Sequence, residues 1–391
     1  MKKIELICVS SDNNNKYYRM EENADGTFTA RWGRVGYAEQ TQTYSAGLWN
    51  SKYKEKIRRG YKDISNLKVQ VTSSTFKDVL DKKIQILLND LQNFSKTKIS
   101  QNYSVGTSAV TLAQVDAAQE IIDRLAIVQK DNTLIDKSLM ELYTIIPRHM
   151  SDVRRELFKN NINSKDWLAN KIATEQALLD VMRQQVELNK IDNKVDQTLE
   201  DALGIKIVNV EDSDTLNQIL TLLGNENNKF SKAFALINYT TEGRFKAQIK
   251  NSHSDKTSVL WHGSRNENWL NIIKTGLLIR PSGVAFTGSM FGNGIYFADK
   301  STKSLGYTSL NGSYWARGND NKCYLALYEV NIGNQYEVYD GQYGMDYNKL
   351  KTHGNYDSVF AKAGRSLYNN EYIIYNPYQC TIRYLVELQN K

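Results

Sequence analysis

Apolar positions recur at helical spacing through the middle of the chain. Leu80, Ile84, Leu87, Leu88 and Leu91 mark one stripe, and Val115, Ala118, Ile122 and Leu125 a second. A third runs through Ile135, Leu139, Leu142, Tyr143 and Ile146 to a stop at Pro147, and a fourth through Ile172, Leu178, Leu179, Met182 and Val186. Steps of three and four predict amphipathic helices, and such stripes are core far more often than ligand sites. Both ends of the chain follow a period of two instead. Residues 26–36, GTFTARWGRVG, alternate until a Gly-rich turn, after Lys16-Tyr17-Tyr18-Arg19-Met20, which predicts antiparallel hairpins with a helix following. Towards the other end, Ile295–Phe297, Cys323–Gly333, Asn370–Tyr375 and Thr381–Leu388 predict strands joined by Gly- and Asn-rich turns. Asn13-Asn14-Asn15 and Gln101 to Ser108 are the polar breaks predicted as loops.

A chain of 391 residues has room for two or three domains. The pattern predicts a multidomain α+β protein: residues 1–72 a small β-rich module, 78–190 an all-α bundle, and 193–391 a mixed-β domain. Charge is uneven across these parts. The chain carries a net +7, and residues 1–72 hold 13 Lys and Arg against 8 Asp and Glu, so +5 of it sits there. Within KYKEKIRRGYK, Lys52 to Lys62, six bases accompany one acid and alternate with Tyr53 and Tyr61. Such a run is either a solvated helix face or a set of phosphate contacts. The three cysteines, Cys8, Cys323 and Cys380, lie far apart without CxxC spacing, which argues for a reducing compartment and against zinc fingers. No apolar run approaches a membrane span and no leader pattern follows Met1, so a soluble intracellular protein is expected: nuclear in a eukaryotic host, in the cytoplasm or nucleoid of a bacterial one.

The chemistry concentrates in Leu260 to Tyr307, LWHGSRNENWLNIIKTGLLIRPSGVAFTGSMFGNGIYFADKSTKSLGY, and in the later LYNNEYIIY around Glu371. His262, Tyr296 and Glu371 each sit inside a short apolar or Gly-flanked run, as side chains projected from strand ends into one cleft would. The glycines of Phe291-Gly292-Asn293-Gly294 do not make a dinucleotide fingerprint, because Phe297 stands where the third Gly is needed. No GxxxxGK[ST] phosphate loop occurs either. The two glycines read as a tight turn before the strand at Ile295. A lone Glu beside a Tyr is usually an exposed strand-edge carboxylate, and only its companions give Glu371 another reading.

With those companions, the segment resembles the catalytic domain of poly(ADP-ribose) polymerases and their His-Tyr-Glu triad. The Trp32-Gly33-Arg34 triplet, in a β-rich basic setting, resembles the WGR domain of the same family. Residues 78–190, with Leu142-Tyr143-Thr144-Ile145-Ile146-Pro147, resemble its helical regulatory domain. The resemblance implies NAD+ as co-substrate, with no metal. It implies that His262 binds the adenosine ribose hydroxyl, that Tyr296 and Tyr307 flank the nicotinamide, and that Gly263 (through its backbone) and Ser304 hold the carboxamide. Ser264 and Arg280 complete the expected cofactor contacts, and Met290, Lys303, Leu367 and Tyr368 the acceptor side. Glu371 is the implied catalytic carboxylate. Because nicotinamide leaves NAD+ as a neutral base, no general acid is needed, and one carboxylate suffices to stabilise the oxocarbenium-like transition state and polarise the acceptor.

Some positions depart from the family pattern. Leu278 stands where the family commonly has Arg, with Arg280 two residues on, and Ser289 where a Tyr is common. No His lies in the 210–250 region. In the WGR-like module the implied DNA contacts are Trp32, Arg34, Lys52, Lys54, Lys56, Arg58 and Arg59, reading phosphate and shape at nicks or 5′-phosphorylated ends. The implied function is a DNA-strand-break-activated transferase of the DNA damage response. It modifies proteins, itself included, extends the product to a polymer, and is gated by the helical block over the NAD+ cleft. Acceptor proteins and an activity-modifying partner are the implied partners. The other reading is a DNA-break scaffold with weak or single-transfer activity.

Overall fold

A computed structural model describes residues 2–65, 75–104, 110–128, 131–161, 167–192, 194–279 and 290–390. The chain gathers into two compact units, Met1–Ser73 with Thr97–Lys190, and Ser74–Lys96 with Ile191–Lys391. Within the segment 78–190, the residues up to Lys96 pack with the second unit and those from Thr97 with the first.

In the first unit, β1 (Lys3–Ser10), β2 (Asn14–Glu22), β3 (Thr27–Arg34), β4 (Gln40–Ser45) and β5 (Lys62–Asp63) form an antiparallel sheet of order β4-β3-β2-β1-β5. The loop expected over Asn13 to Asn15 is shorter than that. Asn13 alone takes the left-handed turn at φ 64°, while Asn14 and Asn15 start β2. Asn15 is buried and its amide donates to the Arg148 carbonyl at 3.0 Å. One sheet face buries Leu6, Tyr18, Met20, Phe28 and Ala30 against Trp49, the first residue of the basic helix α1 (Trp49–Arg58).

Helix α2 (Lys82–Asn102) begins after Asp81, whose carboxylate accepts from the Lys83 and Ile84 amides at 2.7 and 3.3 Å. Leu80 lies before this cap and is fully exposed, so the first stripe is Ile84, Leu87, Leu88 and Leu91 without it. Gln101 and Asn102, expected as loop, end the same helix. Helices α3 (Leu112–Ile127), α4 (Asn132–Ile145) and α5 (Trp167–Asn189) belong to the first unit and bury the other three stripes. Thr111 and Gln114 close a reciprocal capping box on α3, and Asp131 caps α4. Inside this bundle Arg148 pairs with Glu175, which Lys171 also approaches at 3.1 Å.

The second unit adds α6 (Leu199–Leu203), β6 (Ile205–Asn209), α7 (Ser213–Leu223), β7 (Phe230–Asn238), α8 (Tyr239–Asn251), β8 (Thr257–Gly263), α9 (Trp269–Thr275), β9 (Ile295–Phe297), α10 (Ser301–Leu305), β10 (Lys322–Asn331), β11 (Gln335–Val338), α11 (Tyr347–Thr352), β12 (Ser358–Ala361), β13 (Glu371–Ile374) and β14 (Cys380–Gln389). An antiparallel sheet of order β6-β7-β14-β10-β8 carries one core, with Ala233, Trp261, Leu325, Leu327 and Val386 at its centre. A smaller sheet of order β11-β12-β13-β9, parallel only between β11 and β12, carries the other, around Phe291, Val359 and Ile373. Main-chain pairing joins the sheets where Trp261 on β8 and Ala298 after β9 exchange both backbone hydrogen bonds at 2.8 and 3.0 Å.

Asn238 fastens α8 to this scaffold. Its buried side-chain oxygen accepts from the Thr240 and Thr241 amides, and its amide donates to the carbonyls of Ile273 and Lys274 at the end of α9. Asn238→Ala removes the cap and strands two carbonyls, so it should cost about 2–3 kcal/mol. Amide exchange in β7 and β14 at graded urea checks this, since their protection should fall by that amount.

Candidate active site

The junction between the sheets sets the site. His262 and Gly263 finish β8, Tyr296 is central in β9, and Glu371 opens β13, where Ile373 pairs with Tyr296. Helix α10 then brings Lys303 and Ser304 to the same place. These residues, with Tyr307, line one cavity of about 340 Å³ whose wall also includes Leu278, Asn293 and Phe297.

Close backbone packing makes two glycines obligatory there. A methyl at Gly263 would fall on the Ser304 carbonyl, so β8 and α10 touch main chain to main chain. Gly292 has φ +75° and a methyl on it would strike the backbone of Met345. The turn that contains Gly292 is pinned by tyrosines. The Tyr296 hydroxyl donates to the Gly292 carbonyl at 2.7 Å and accepts from the Phe291 amide at 3.2 Å, while the Tyr375 hydroxyl donates to the Phe291 carbonyl at 2.5 Å. Burial pushes the Tyr296 phenol well above its ordinary pKa, so it stays a donor.

Glu371 is only 7% exposed and its Oε1 lies 2.6 Å from Lys303 Nζ. It is therefore not the exposed edge carboxylate that an isolated Glu-Tyr pair suggests. Burial would lower the Lys303 pKa, but the hydrogen bond and charge of Glu371, with Tyr307, outweigh it and raise it. The residue before the carboxylate is held too. Asn370 donates to Asp299 Oδ2 at 2.8 Å and accepts from the Ala363 amide at 3.0 Å, tying the start of β13 to the end of β9. The sequence assigns no site role to Asn370 or Asp299, although Asn370 immediately precedes β13 and Asp299 follows β9 by two residues.

His262 presents Nδ1 to the Tyr296 carbonyl at 3.0 Å. A carbonyl only accepts, so Nδ1 carries the proton and Nε2 is left as an acceptor, suited to a hydroxyl. Burial pulls the imidazole pKa down from 6.5 to about 4, against the smaller opposing effect of that hydrogen bond. The cavity thus combines a neutral imidazole, a carboxylate–ammonium pair, two phenols and exposed main chain. That set orients a polar ligand and stabilises positive charge that develops next to the carboxylate.

Other expected residues lie elsewhere. Ser264, just past β8, accepts from the Asn268 amide at 3.0 Å and is not part of the cavity wall. Met290 and Leu367 pack against the core of the smaller sheet, and Tyr368 is fully exposed. Leu278 lines the cavity, whereas Arg280 and Ser289 fall outside the described residues.

In the first unit, Trp32 is half-buried beside Tyr18, with ring centroids 5.9 Å apart. The Arg34 guanidinium donates to Asn13 O and Oδ1 at 2.8 and 2.9 Å and to the carbonyls of Met150 and Ser151 at 3.1 and 2.9 Å. Four acceptors occupy it, so Arg34 is a tie within its unit and not a free phosphate ligand. On α1, Lys52 and Lys56 lie over the Tyr44 and Tyr18 rings at 4.8 and 4.3 Å. Arg59 pairs with Glu55 at 2.9 Å, and the Arg58 Nε donates to the Lys54 carbonyl at 3.4 Å. Lys54, Arg58 and Arg59 are exposed.

Parts of the chain are similar in sequence to known proteins. Residues 187–362 match the poly(ADP-ribose) polymerase catalytic domain. The poly [ADP-ribose] polymerase-like protein 100L of Invertebrate iridescent virus 6 is 38% identical over 185 residues, which cover 46% of this chain and 96% of that protein. Poly [ADP-ribose] polymerase 2 of Homo sapiens is 26% identical, with 96% of this chain and 77% of that protein covered. Poly [ADP-ribose] polymerase 2-B of Oryza sativa subsp. japonica is 24% identical, covering 96% and 70% respectively. The chain belongs to the poly(ADP-ribose) polymerase family and is an ADP-ribosyltransferase of that type, a class that takes NAD+ as its substrate.

A buried neutral His262 also has a pH signature. The unfolded chain binds a proton at this residue below 6.5 and the folded chain only below about 4, so stability rises with pH across that window and is lost as pH falls through it. His262→Gln should remove up to about 3 kcal/mol of the difference between pH 7 and pH 4. Urea denaturation of both proteins at each pH measures it.

Proposed function

We propose that the chain is a DNA-strand-break-activated, NAD+-dependent ADP-ribosyltransferase of the DNA damage response that modifies proteins, itself included, and elongates the product to poly(ADP-ribose). In this reading residues 1–72 are a WGR module, 78–190 a helical regulatory segment and 193–391 the transferase domain. His262 Nε2 accepts from the adenosine ribose hydroxyl. Gly263 and Ser304 hold the carboxamide, and Tyr296 and Tyr307 flank the nicotinamide ring. Glu371 steadies the positive charge that grows at the ribose C1′ as the nicotinamide leaves, and then polarises the acceptor hydroxyl.

The observation that carries this reading is the buried Glu371, held by Lys303 in the same cavity as a neutral imidazole and two phenols. A buried carboxylate opposite a cation keeps its charge available without solvent reorganisation. The exposed bases Lys54 and Arg58 on α1 and Arg59 at its end support contact with a phosphate backbone, and Trp32 in the same unit is only half-buried. The 96% coverage of this chain by poly [ADP-ribose] polymerase 2 proteins supports extending the likeness to both ends.

The test is incubation with labelled NAD+, with and without a 5′-phosphorylated nicked duplex, resolved on a denaturing gel. A DNA-dependent smear above the protein is expected; one sharp band would restrict the chain to single transfer, and no label with NAD+ bound would leave a break-binding scaffold. Glu371→Gln should hold NAD+ affinity within a few-fold while turnover drops at least about a hundredfold, because only a transition-state interaction is lost. Turnover equal to wild type would rule out the assignment.

Restraint by the helical segment is tested without cutting the chain. Glu175→Ala strands the buried Arg148 and should loosen the bundle by about 3–5 kcal/mol. Labelling in the absence of DNA should then rise several-fold, and unchanged basal labelling in a measurably loosened bundle would refute restraint.

A further inference from the structure

We propose that Trp315 is a positioning residue of the transferase site, holding Tyr307 in place as the aromatic wall of the cavity. The indole lies against the Tyr307 ring with centroids 6.2 Å apart and planes 18° from parallel, and Tyr314 meets it edge-on at 4.6 Å. The Lys303 ammonium stands 5.8 Å from both the Tyr307 and the Trp315 rings, so the lysine that pairs with Glu371 also touches this stack. Tyr307 is itself 42% exposed and sits just past the short helix α10, where its amide donates to the Ser304 carbonyl at 3.1 Å but leaves the ring at the surface.

The segment that carries Trp315 is built to hold that ring. The Trp315 and Ala316 amides both donate to the Gly306 carbonyl at 2.9 Å, directly beside Tyr307. Arg265 Nη2 donates to the Ala316 carbonyl at 2.7 Å, and the Gly318 amide donates to Ser313 Oγ at 2.8 Å. Gly306 leaves room for the indole edge, and a methyl at Gly318 would fall on the Ser309 carbonyl. Arg317 adopts the left-handed region at φ 48°, which a residue with a side chain enters only when its surroundings hold it there. All this fixes a tryptophan that remains 59% exposed and belongs to neither the buried cluster around Trp261 nor that around Phe291. Burial does not explain the arrangement; the contact with Tyr307 does.

A flat indole behind the phenol removes the ring's freedom to swing out of the cavity, so a planar ligand ring meets a wall already in position. The contact precedes any chemistry and is the same in ground and transition states. Its loss therefore raises KM and spares kcat.

The inference rests on the reading that Tyr307 faces the nicotinamide half of NAD+, and the test separates the two. Steady-state NAD+ turnover by the full chain is measured for wild type, Trp315→Ala, Trp315→Phe and Tyr307→Ala, each with inhibition by free nicotinamide and a melting curve. Trp315 is exposed, so melting should stay close to wild type. Trp315→Ala should raise KM for NAD+ and the nicotinamide inhibition constant together, roughly three- to tenfold, with kcat within about twofold, and Trp315→Phe should restore most of both. If Tyr307→Ala raises both constants and Trp315→Ala leaves them at wild type, the positioning role is overturned while the site reading stands. If Tyr307→Ala changes neither constant, the underlying reading of the site fails and the proposal with it. A fall in kcat without change in KM for Trp315→Ala would also overturn it.

Discussion

Everything at the site depends on two hydrogen bonds between main chains, Trp261 to Ala298 and back. They join the main chains of a five-stranded and a four-stranded sheet, each with its own core. Because side chains alternate along a strand, fixing Trp261 toward the larger core sends His262 the other way, and the same pairing sets the strand that bears Tyr296. Glu371 then follows from the register between β13 and β9. The one hydrogen bond within the triad that is geometrically direct, His262 to the Tyr296 carbonyl, is a by-product of the same junction.

That junction also explains the glycines. Two sheets and a short helix cannot converge on one cavity unless backbones approach more closely than a Cβ permits, and Gly263 against Ser304 and Gly292 against Met345 are those approaches. Several of the polar groups so crowded are paired: Tyr296 with the turn at Gly292, Glu371 with Lys303, Asn370 with Asp299 and the Ala363 amide. A site assembled this way has its dipoles in position before a substrate arrives, which is the condition under which they lower a barrier.

The N-terminal module shows the same logic with a different result. Arg34, in the Trp32-Gly33-Arg34 triplet, commits its guanidinium to oxygens at Asn13, Met150 and Ser151. The fork of donors that suits it to phosphate also suits it to a cluster of carbonyls, and only the fold decides which of these it meets. The basic helix is likewise partly occupied, since Lys52 and Lys56 rest on tyrosine rings.

Periodicity by itself determined the long helices and several of the strands, because burial of a stripe or of one face is a local property of spacing; the stripes on α3, α4 and α5 and the strands β9, β10, β13 and β14 are legible without coordinates. The residues LWHG, GIYF and NEYIIY were enough to single out His262, Tyr296 and Glu371. Local signals failed where the outcome depends on distant partners. Leu80 fits the stripe but precedes the cap at Asp81 and is exposed; Asn14 and Asn15 look like loop and are strand, because Asn15 finds the Arg148 carbonyl far along the chain. The pairing of Lys303 with Glu371, the tautomer of His262, the commitment of Arg34 and the seat of Trp315 on Tyr307 were decided only by tertiary structure. Each is a contact between residues whose separation in sequence carries no information about their separation in space.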